Sequence, residues 1–322
     1  MAMNTATRKI IIDTDPGIDD AMAIFFALAS PEFEVLALTT VFGNAHASTC
    51  TINALRLLEI AGCPEILVAH GAEVPLASEF RGPAGWVHGD DGQGNTNLPQ
   101  ASAKPVEQSA AQLIVDLANT FPGEITLVPL GPLTNVALAM QIDPQLDQKL
   151  DQIVLMGGNA FCRGNASAAA EANIFNDPEA ADIVFGLRCP IVMVGLDVTE
   201  TIHMNGAHLA RIAAIDNAPA RHAAKILPFY ADFHVASGRG EVPFTYVHDS
   251  TTISYLLAPQ HFEWVDMPIR VDCANGVCRG KTLPQEPENG HDPSFAGRPK
   301  VRILTKVDAD AVIELELERL AR

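Results

Sequence analysis

The chain of 322 residues carries 39 acidic and 21 basic side chains, a formal net charge of −18. That excess argues against nucleic acid or an anionic membrane surface as the main partner, since both are held by clustered Lys and Arg. With 48% hydrophobic and 19% charged residues, the composition is that of a packed globular protein rather than a disordered chain.

Taken in order, short apolar runs alternate with amphipathic stretches. Residues 9–12 (Lys-Ile-Ile-Ile) read as a strand buried on both faces, and 19–28 as a helix. A strand at 34–40, a helix at 48–60 and a strand at 66–68 follow. Then come a helix at 110–119, a strand at 125–128, a helix at 134–140 and a strand at 153–156. A helix at 178–185 and a strand at 191–194 continue the alternation. Continuous apolar strands separated by helices predict an α/β fold with a mostly parallel sheet covered on both faces. Two stretches interrupt it. Residues 81–100, rich in Gly, Asp and Asn, read as a long surface loop, and 280–299, with four prolines, as an excursion between two strands. Residues 308–322 open on an N-cap aspartate and place Val312, Leu315, Leu317 and Leu320 on an acidic helix. The expected organisation is a single domain over residues 1–322.

The six cysteines are scattered, and the spacing of Cys273 and Cys278 matches no common zinc knuckle. Free thiols and a cytoplasmic location are the expectation. Residues 1–9 contain no apolar stretch of signal-peptide length, and the longest apolar run, 21–29, is too short to span a bilayer.

The densest chemical signal is Asp13-Thr14-Asp15-Pro16-Gly17-Ile18-Asp19-Asp20, directly after the first strand. Ligands of open parallel sheets bind at the carboxyl ends of the strands, where this cluster falls. The following helix dipole favours nearby carboxylates by about 0.3–1 kcal/mol each, too little to hold four together. Either some take up protons or a cation neutralises them, and hard oxygen donors select Mg²⁺ or Ca²⁺. A bland alternative makes Asp19 a helix cap, Asp20 a solvated first-turn acid and Asp13 a turn former. It explains any one aspartate well, and four in eight residues poorly. Gly17 stands where an EF-hand loop needs an acid or Asn, which excludes that site.

The stretch resembles the N-terminal signature of the inosine-uridine-preferring nucleoside hydrolases, and further segments match in order along nearly the whole chain. They are Thr39-Thr40-Val41-Phe42-Gly43-Asn44, His88-Gly89-Asp90-Asp91-Gly92, and Val128-Pro129-Leu130-Gly131-Pro132-Leu133-Thr134-Asn135. Leu155-Met156-Gly157-Gly158, the Asn165, Glu171 and Asn173 spacing, Asn176-Asp177-Pro178-Glu179-Ala180-Ala181 and Val247-His248-Asp249 complete the series. The resemblance implies a Rossmann-like fold with a mixed, mostly parallel sheet. It implies Ca²⁺ held by Asp15, Asp20, the Leu130 carbonyl and Asp249. The family often has Thr at the position of Leu130, a departure of little weight for a main-chain ligand. Asp19, Asn44, Asn165, Glu171 and Asn173 resemble the ribose-hydroxyl binders, with Met156 against the sugar, His88 and residues 230–246 near the base, and His248 as proton donor to the leaving base. A ribonucleoside substrate, a role in purine or pyrimidine salvage, and a homodimer or homotetramer are implied in the same way.

The chemistry asks for these residue types. N-glycoside cleavage passes through an oxocarbenium-like sugar, as in O-glycoside hydrolysis, so the site must surround ribose with electron-rich oxygen and activate water. Asp15, at the strand end, is the candidate base. Successive helical residues diverge by about 100°, which lets Asp20 face an ion and Asp19 a sugar hydroxyl, while Asp13 orients from behind. Two other readings start from the same motif. One is a Mg²⁺-dependent phosphohydrolase of the haloacid-dehalogenase type, with Asp13 as nucleophile. The other is a Ca²⁺-dependent nucleoside-binding protein without turnover.

Overall fold

Ile10, Ile11 and Ile12 show how the core divides. Side chains alternate across a strand, and Ile10 and Ile12 join one apolar cluster while Ile11 joins another. The computed structural model describes residues 7–286 and 292–322. Part of the excursion read at 280–299 therefore lies outside the described residues.

The chain opens with β1 (Arg8–Thr14), α1 (Ile18–Leu28), β2 (Phe33–Thr40), α2 (Ala47–Ile60) and β3 (Leu67–Ala69). It continues through α3 (Gly85–His88), α4 (Ala110–Thr120), β4 (Ile125–Pro129), α5 (Thr134–Ile142) and β5 (Leu150–Met156). Next are α6 (Ala172–Asn176), α7 (Pro178–Val184), β6 (Ile191–Val194), α8 (Leu196–Thr199), β7 (His203–Asn205) and α9 (Gly206–Ala213). The remainder is α10 (Ala218–Ala236), β8 (Phe244–Tyr246), α11 (Ser250–Leu257), β9 (Phe262–Val271), β10 (Thr282–Pro284), β11 (Lys300–Val307) and α12 (Ala309–Leu320).

Nine strands form one sheet in the order β10-β9-β11-β6-β5-β4-β1-β2-β3. From β11 to β3 all neighbours are parallel, and β9 pairs antiparallel with both β11 and β10. The mostly parallel, mixed sheet expected from the sequence is what forms. Helices α1, α2, α10, α11 and α12 cover one face, and α4, α5 and α7 the other. Phe25 and Phe26 of α1 are fully buried, each worth about 1.5–3 kcal/mol relative to exposure. Strand order reverses between β1 and β4, so the loops leaving these two strands part and open a crevice.

Residues 81–100 differ from the surface loop expected. They contain α3, and they bury His88 and Gln93. Gln93 Nε2 donates to the carbonyls of Pro16 at 3.2 Å and Gly17 at 2.8 Å, and its Oε1 pairs with His222 Nε2 at 2.9 Å. The loop is thus fastened over the β1–α1 turn by tertiary hydrogen bonds. The stretch at 280–299 also contributes β10, a three-residue edge strand ending in proline, where a missing N–H costs no ladder bond.

One polar group in the α11–α12 packing has a consequence for stability. Glu316 of α12 is 1% exposed, accepts from Ser250 Oγ at 2.8 Å, and has an Oε2 with no hydrogen-bond partner among the described residues. Burial raises its pKa from 4.5 to about 7. A raised carboxyl pKa makes the folded state the better proton binder, so this group's contribution is full below about pH 4.5 and declines until about pH 7. The decline is on the order of 3 kcal/mol. Glu316→Gln removes that titration, so its melting temperature should rise relative to wild type between pH 5 and pH 8. A pH-independent difference between the two proteins would contradict this account.

Candidate active site

The carboxyl edge of the sheet is where β1 ends and the Pro16-Gly17 turn begins. Asp13 is fully buried there: its Oδ1 accepts from Thr39 Oγ1 at 2.6 Å and Asn135 Nδ2 at 2.8 Å. It ties β1 to β2 and α5, and burial raises its pKa to about 7. Two residues on, Asp15 Oδ2 accepts from the Asn44 backbone N–H at 2.6 Å. Its Oδ1 is buried with no hydrogen-bond partner among the described residues. Glycines make this possible: a Cβ at Gly43, whose φ is +157°, would lie 2.0 Å from Asp15 Oδ2, and one at Gly131 2.5 Å from Oδ1. Asp20 accepts from the Thr14 hydroxyl, from Gly17 N at 2.9 Å and from Asn44 Nδ2 at 2.9 Å.

Asp19, Asp20 and Asp249, the last at the start of α11, bring carboxylate oxygens within 4.8 Å of one another. In this cluster Asp19 rather than Asp15 is the third carboxylate. Burial and then the neighbouring carboxylates push Asp15 and Asp249 well above the usual range, and burial brings Asp19 and Asp20 to about 6. A divalent cation reverses this repulsion. The donors are all hard oxygens and one of them, Asp15 Oδ1, is orphaned in the interior, so the residues fit Ca²⁺ or Mg²⁺. Asp15, Asp20, Asp249 and the Leu130 carbonyl would hold such an ion. That carbonyl also accepts from Asn173 Nδ2 at 2.6 Å, and a carbonyl oxygen has a second lone pair.

Above the carboxylates lies a cavity of about 420 Å³, within the usual range for small-molecule sites. Asp19, Asn44, His88, Leu130 and Met156 line it, as do Asn165, Glu171, Asn173, His248 and Asp249. Asp15 and Asp20 do not line it. Glu171 N-caps α6, accepting from the backbone N–H groups of Asn173 (2.8 Å), Ile174 (3.0 Å) and Gly158 (2.9 Å). Asn173 Nδ2 also reaches the Met156 carbonyl at 3.2 Å, and Asn165 Oδ1 accepts from Ala172 N at 2.9 Å.

His88 Nδ1 accepts from the Ile18 N–H at 3.1 Å, so the neutral ring carries its hydrogen on Nε2. Burial lowers its pKa to about 4. Its ring stacks on Tyr230, whose hydroxyl donates to Asp19 Oδ2 at 3.3 Å. His248 Nδ1 pairs with Thr199 Oγ1 at 2.8 Å, and burial lowers its pKa to about 3. Both histidines are neutral at pH 7. His234 and Tyr230 of α10 also face the cavity. Sequence reading missed Arg81, Trp86 and Phe175 at the rim, where Arg81 stacks on the Phe175 ring at 4.2 Å, while Phe233 falls within the segment 230–246 expected near the base. The signal for Trp86 was available as a large aromatic in a Gly- and Pro-rich loop, and it stays 71% exposed.

The sequence model of the family described as "Inosine-uridine preferring nucleoside hydrolase" matches residues 10–314. "Probable uridine nucleosidase 2" of Arabidopsis thaliana is 44% identical over 97% of each chain. "Pyrimidine-specific ribonucleoside hydrolase RihA" of Salmonella enteritidis is 38% identical over 97% of each. Among solved structures, "Plant nucleoside hydrolase - PpNRh1 enzyme" superposes with a TM-score of 0.94 at 41% identity, covering 98% of this chain and 99% of that one. "Purine-Preferring Ribonucleoside Hydrolase from Gardnerella vaginalis" does so at 0.90 and 28%, covering 98% of each. The chain belongs to the inosine-uridine preferring nucleoside hydrolase family and is a nucleoside N-ribohydrolase.

Proposed function

We propose that the protein hydrolyses the N-glycosidic bond of ribonucleosides, uridine foremost, at a Ca²⁺-dependent site built on Asp15, Asp20, Asp249 and the Leu130 carbonyl. The observation that carries this reading is a buried carboxylate cluster at the sheet's carboxyl edge, opening on a cavity of about 420 Å³. The uridine nucleosidase and pyrimidine-specific names of the most similar relatives support the choice of base. When bound, a hard dication supplies Lewis-acid chemistry, acidifying water and anchoring vicinal hydroxyls.

The chain's own groups do the rest. Asp15, a carboxylate that would touch both the ion and the water, takes the proton of the attacking water. Asp19, Asn44, Asn165, Glu171 and Asn173 hold the ribose hydroxyls, with Met156 beneath the sugar. Their oxygens offset the charge that develops on the sugar ring. His248 donates to the departing base. As a neutral imidazole it gives a hydrogen bond that strengthens as the leaving base becomes more basic, instead of standing charged beforehand. His88, Tyr230 and His234 surround the base.

Asp13 is fully buried, bonded to Thr39 and Asn135, and does not line the cavity. Those bonds make Asp13 a brace between β1, β2 and α5, and no lysine lines the cavity among the described residues. Together these disfavour the phosphohydrolase reading, where Asp13 is the nucleophile and a lysine assists. A nucleoside panel tests the proposal by release of free base and reducing sugar. Uridine should be turned over fastest, and 2′-deoxyuridine should be at least tenfold poorer. Phosphate release from phosphorylated substrates, or nucleoside binding without base release, would replace it with one of the other readings.

All six cysteines are free, and no described helix is long and apolar enough to cross a membrane. A cytoplasmic location, a homodimer or homotetramer, and a part in nucleoside salvage belong to the same proposal. Sedimentation of the purified protein tests the assembly.

A further inference from the structure

Residues 157–171, between β5 and α6, carry two of the proposed ribose contacts but have no regular secondary structure. One buried side chain closes the segment. Asn159 is 0% exposed, and its Nδ2 donates to the carbonyls of Cys162 at 3.0 Å and Ala169 at 2.8 Å. Its Oδ1 accepts from the Glu171 N–H at 3.2 Å, and its own N–H donates to Thr282 Oγ1 at 2.8 Å. A side-chain amide offers two donors and one acceptor oxygen, and here all of them join the two ends of one compact loop.

The loop is also clamped from outside. Lys281, just before β10, donates from Nζ to the carbonyls of Asn159 at 2.5 Å and Cys162 at 3.0 Å. Asp197 of α8 accepts from the N–H groups of Ala160 at 2.8 Å and Phe161 at 2.7 Å. Inside the loop, Asn165 Oδ1 is occupied by the Ala172 N–H, which leaves its Nδ2 donors for a sugar hydroxyl. Neither Asn159 nor Lys281 lines the cavity. They reach the substrate only through Asn165 and Glu171.

We propose that Asn159 and Lys281 are positioning residues that fix the loop bearing Asn165 and Glu171, and so govern how tightly the ribose hydroxyls are held. The inference rests on the ribose role proposed for those two residues. Charge-assisted bonds to buried carbonyls are among the stronger ones, and displacement of a contact by 1 Å can cost about 100-fold. Loss of the lysine should therefore be felt in catalysis well before it is felt in folding.

The test uses the full chain with saturating Ca²⁺ and four substrates: uridine and its 2′-, 3′- and 5′-deoxy analogues. Asn165→Ala first identifies the hydroxyl it serves, as the analogue on which that variant and wild type come closest. Asn159→Ala removes the buried knot and risks misfolding, so Lys281→Met, at a half-buried position, is the working variant. It should lose roughly tenfold or more in kcat/KM on uridine and little on the analogue that Asn165→Ala singles out. Amide hydrogen exchange should accelerate across 160–171 and not in the strands. Equal losses on all four substrates, or unchanged exchange in the loop, would overturn the proposal. An Asn165→Ala variant with no dependence on any hydroxyl would instead overturn the ribose reading, and the proposal with it. Accelerated loop exchange in Lys281→Met would then show that the clamp survives as a purely structural device.

Discussion

Exhaustive chelation should abolish uridine hydrolysis and lower the melting temperature by several degrees, and Ca²⁺ should restore both. The physical cause is the crowding of Asp15, Asp19, Asp20 and Asp249, whose raised pKa values express burial and mutual repulsion. An ion that binds only the folded state at 100 times its dissociation constant adds about 2.7 kcal/mol. The sign with pH follows from the same groups. Folded-state carboxyls of raised pKa favour the chelated protein at low pH and cost it stability as pH rises, when the unfolded chain would release those protons. The increment from Ca²⁺ should therefore grow from pH 5 to pH 7.5. Full turnover in a sample shown by elemental analysis to be metal-free would remove the ion from the mechanism.

Asp15→Asn should lower kcat on uridine by about 10²–10⁴-fold, the usual range for general-base assistance, with Ca²⁺ supplied to saturation. The variant keeps the shape of the carboxylate that packs against Gly43 and Gly131. It loses proton affinity at Oδ1, the oxygen of this carboxylate with no hydrogen-bond partner among the described residues. It also removes a charge from a crowded cluster, so the chelated variant should melt above chelated wild type while binding Ca²⁺ more weakly. That pairing, a slower enzyme on a more stable apo fold, separates a lost base from a damaged core. More than a tenth of wild-type kcat at saturating Ca²⁺ would assign the base elsewhere.

Most of the parallel sheet was legible because its strands are apolar on both faces, as at Ile10 to Ile12. Strands β9 and β11 were legible only as two unbounded strands flanking residues 280–299. β9 places Glu263, Trp264, Asp266 and Arg270 among its apolar residues and leaves much of its length partly exposed, so no continuous run marks it. β10 has three residues and a proline. Within the site, the carboxylates could be found because four in eight residues is a local signal. Two features lay outside local reading. One is the fastening of Gln93 to the Pro16-Gly17 carbonyls, which turns a polar loop into a roof. The other is the turn of α3 that buries His88 and leaves Trp86 outside. Both depend on partners 70 or more residues away in sequence.

The carboxylates of the site and the rim of the cavity are built on different foundations. Asp15 and Leu130 follow directly from the ends of β1 and β4, where the sheet's strand order reverses, and Asp20 lies in the first turn of α1. Trp86, Phe233 and Arg239 stand on a four-residue helix, on α10 and just past its end, outside the sheet. Side chains at the rim can therefore be exchanged without moving the sheet that carries the carboxylates. Relatives of this architecture carry both pyrimidine-specific and purine-preferring names.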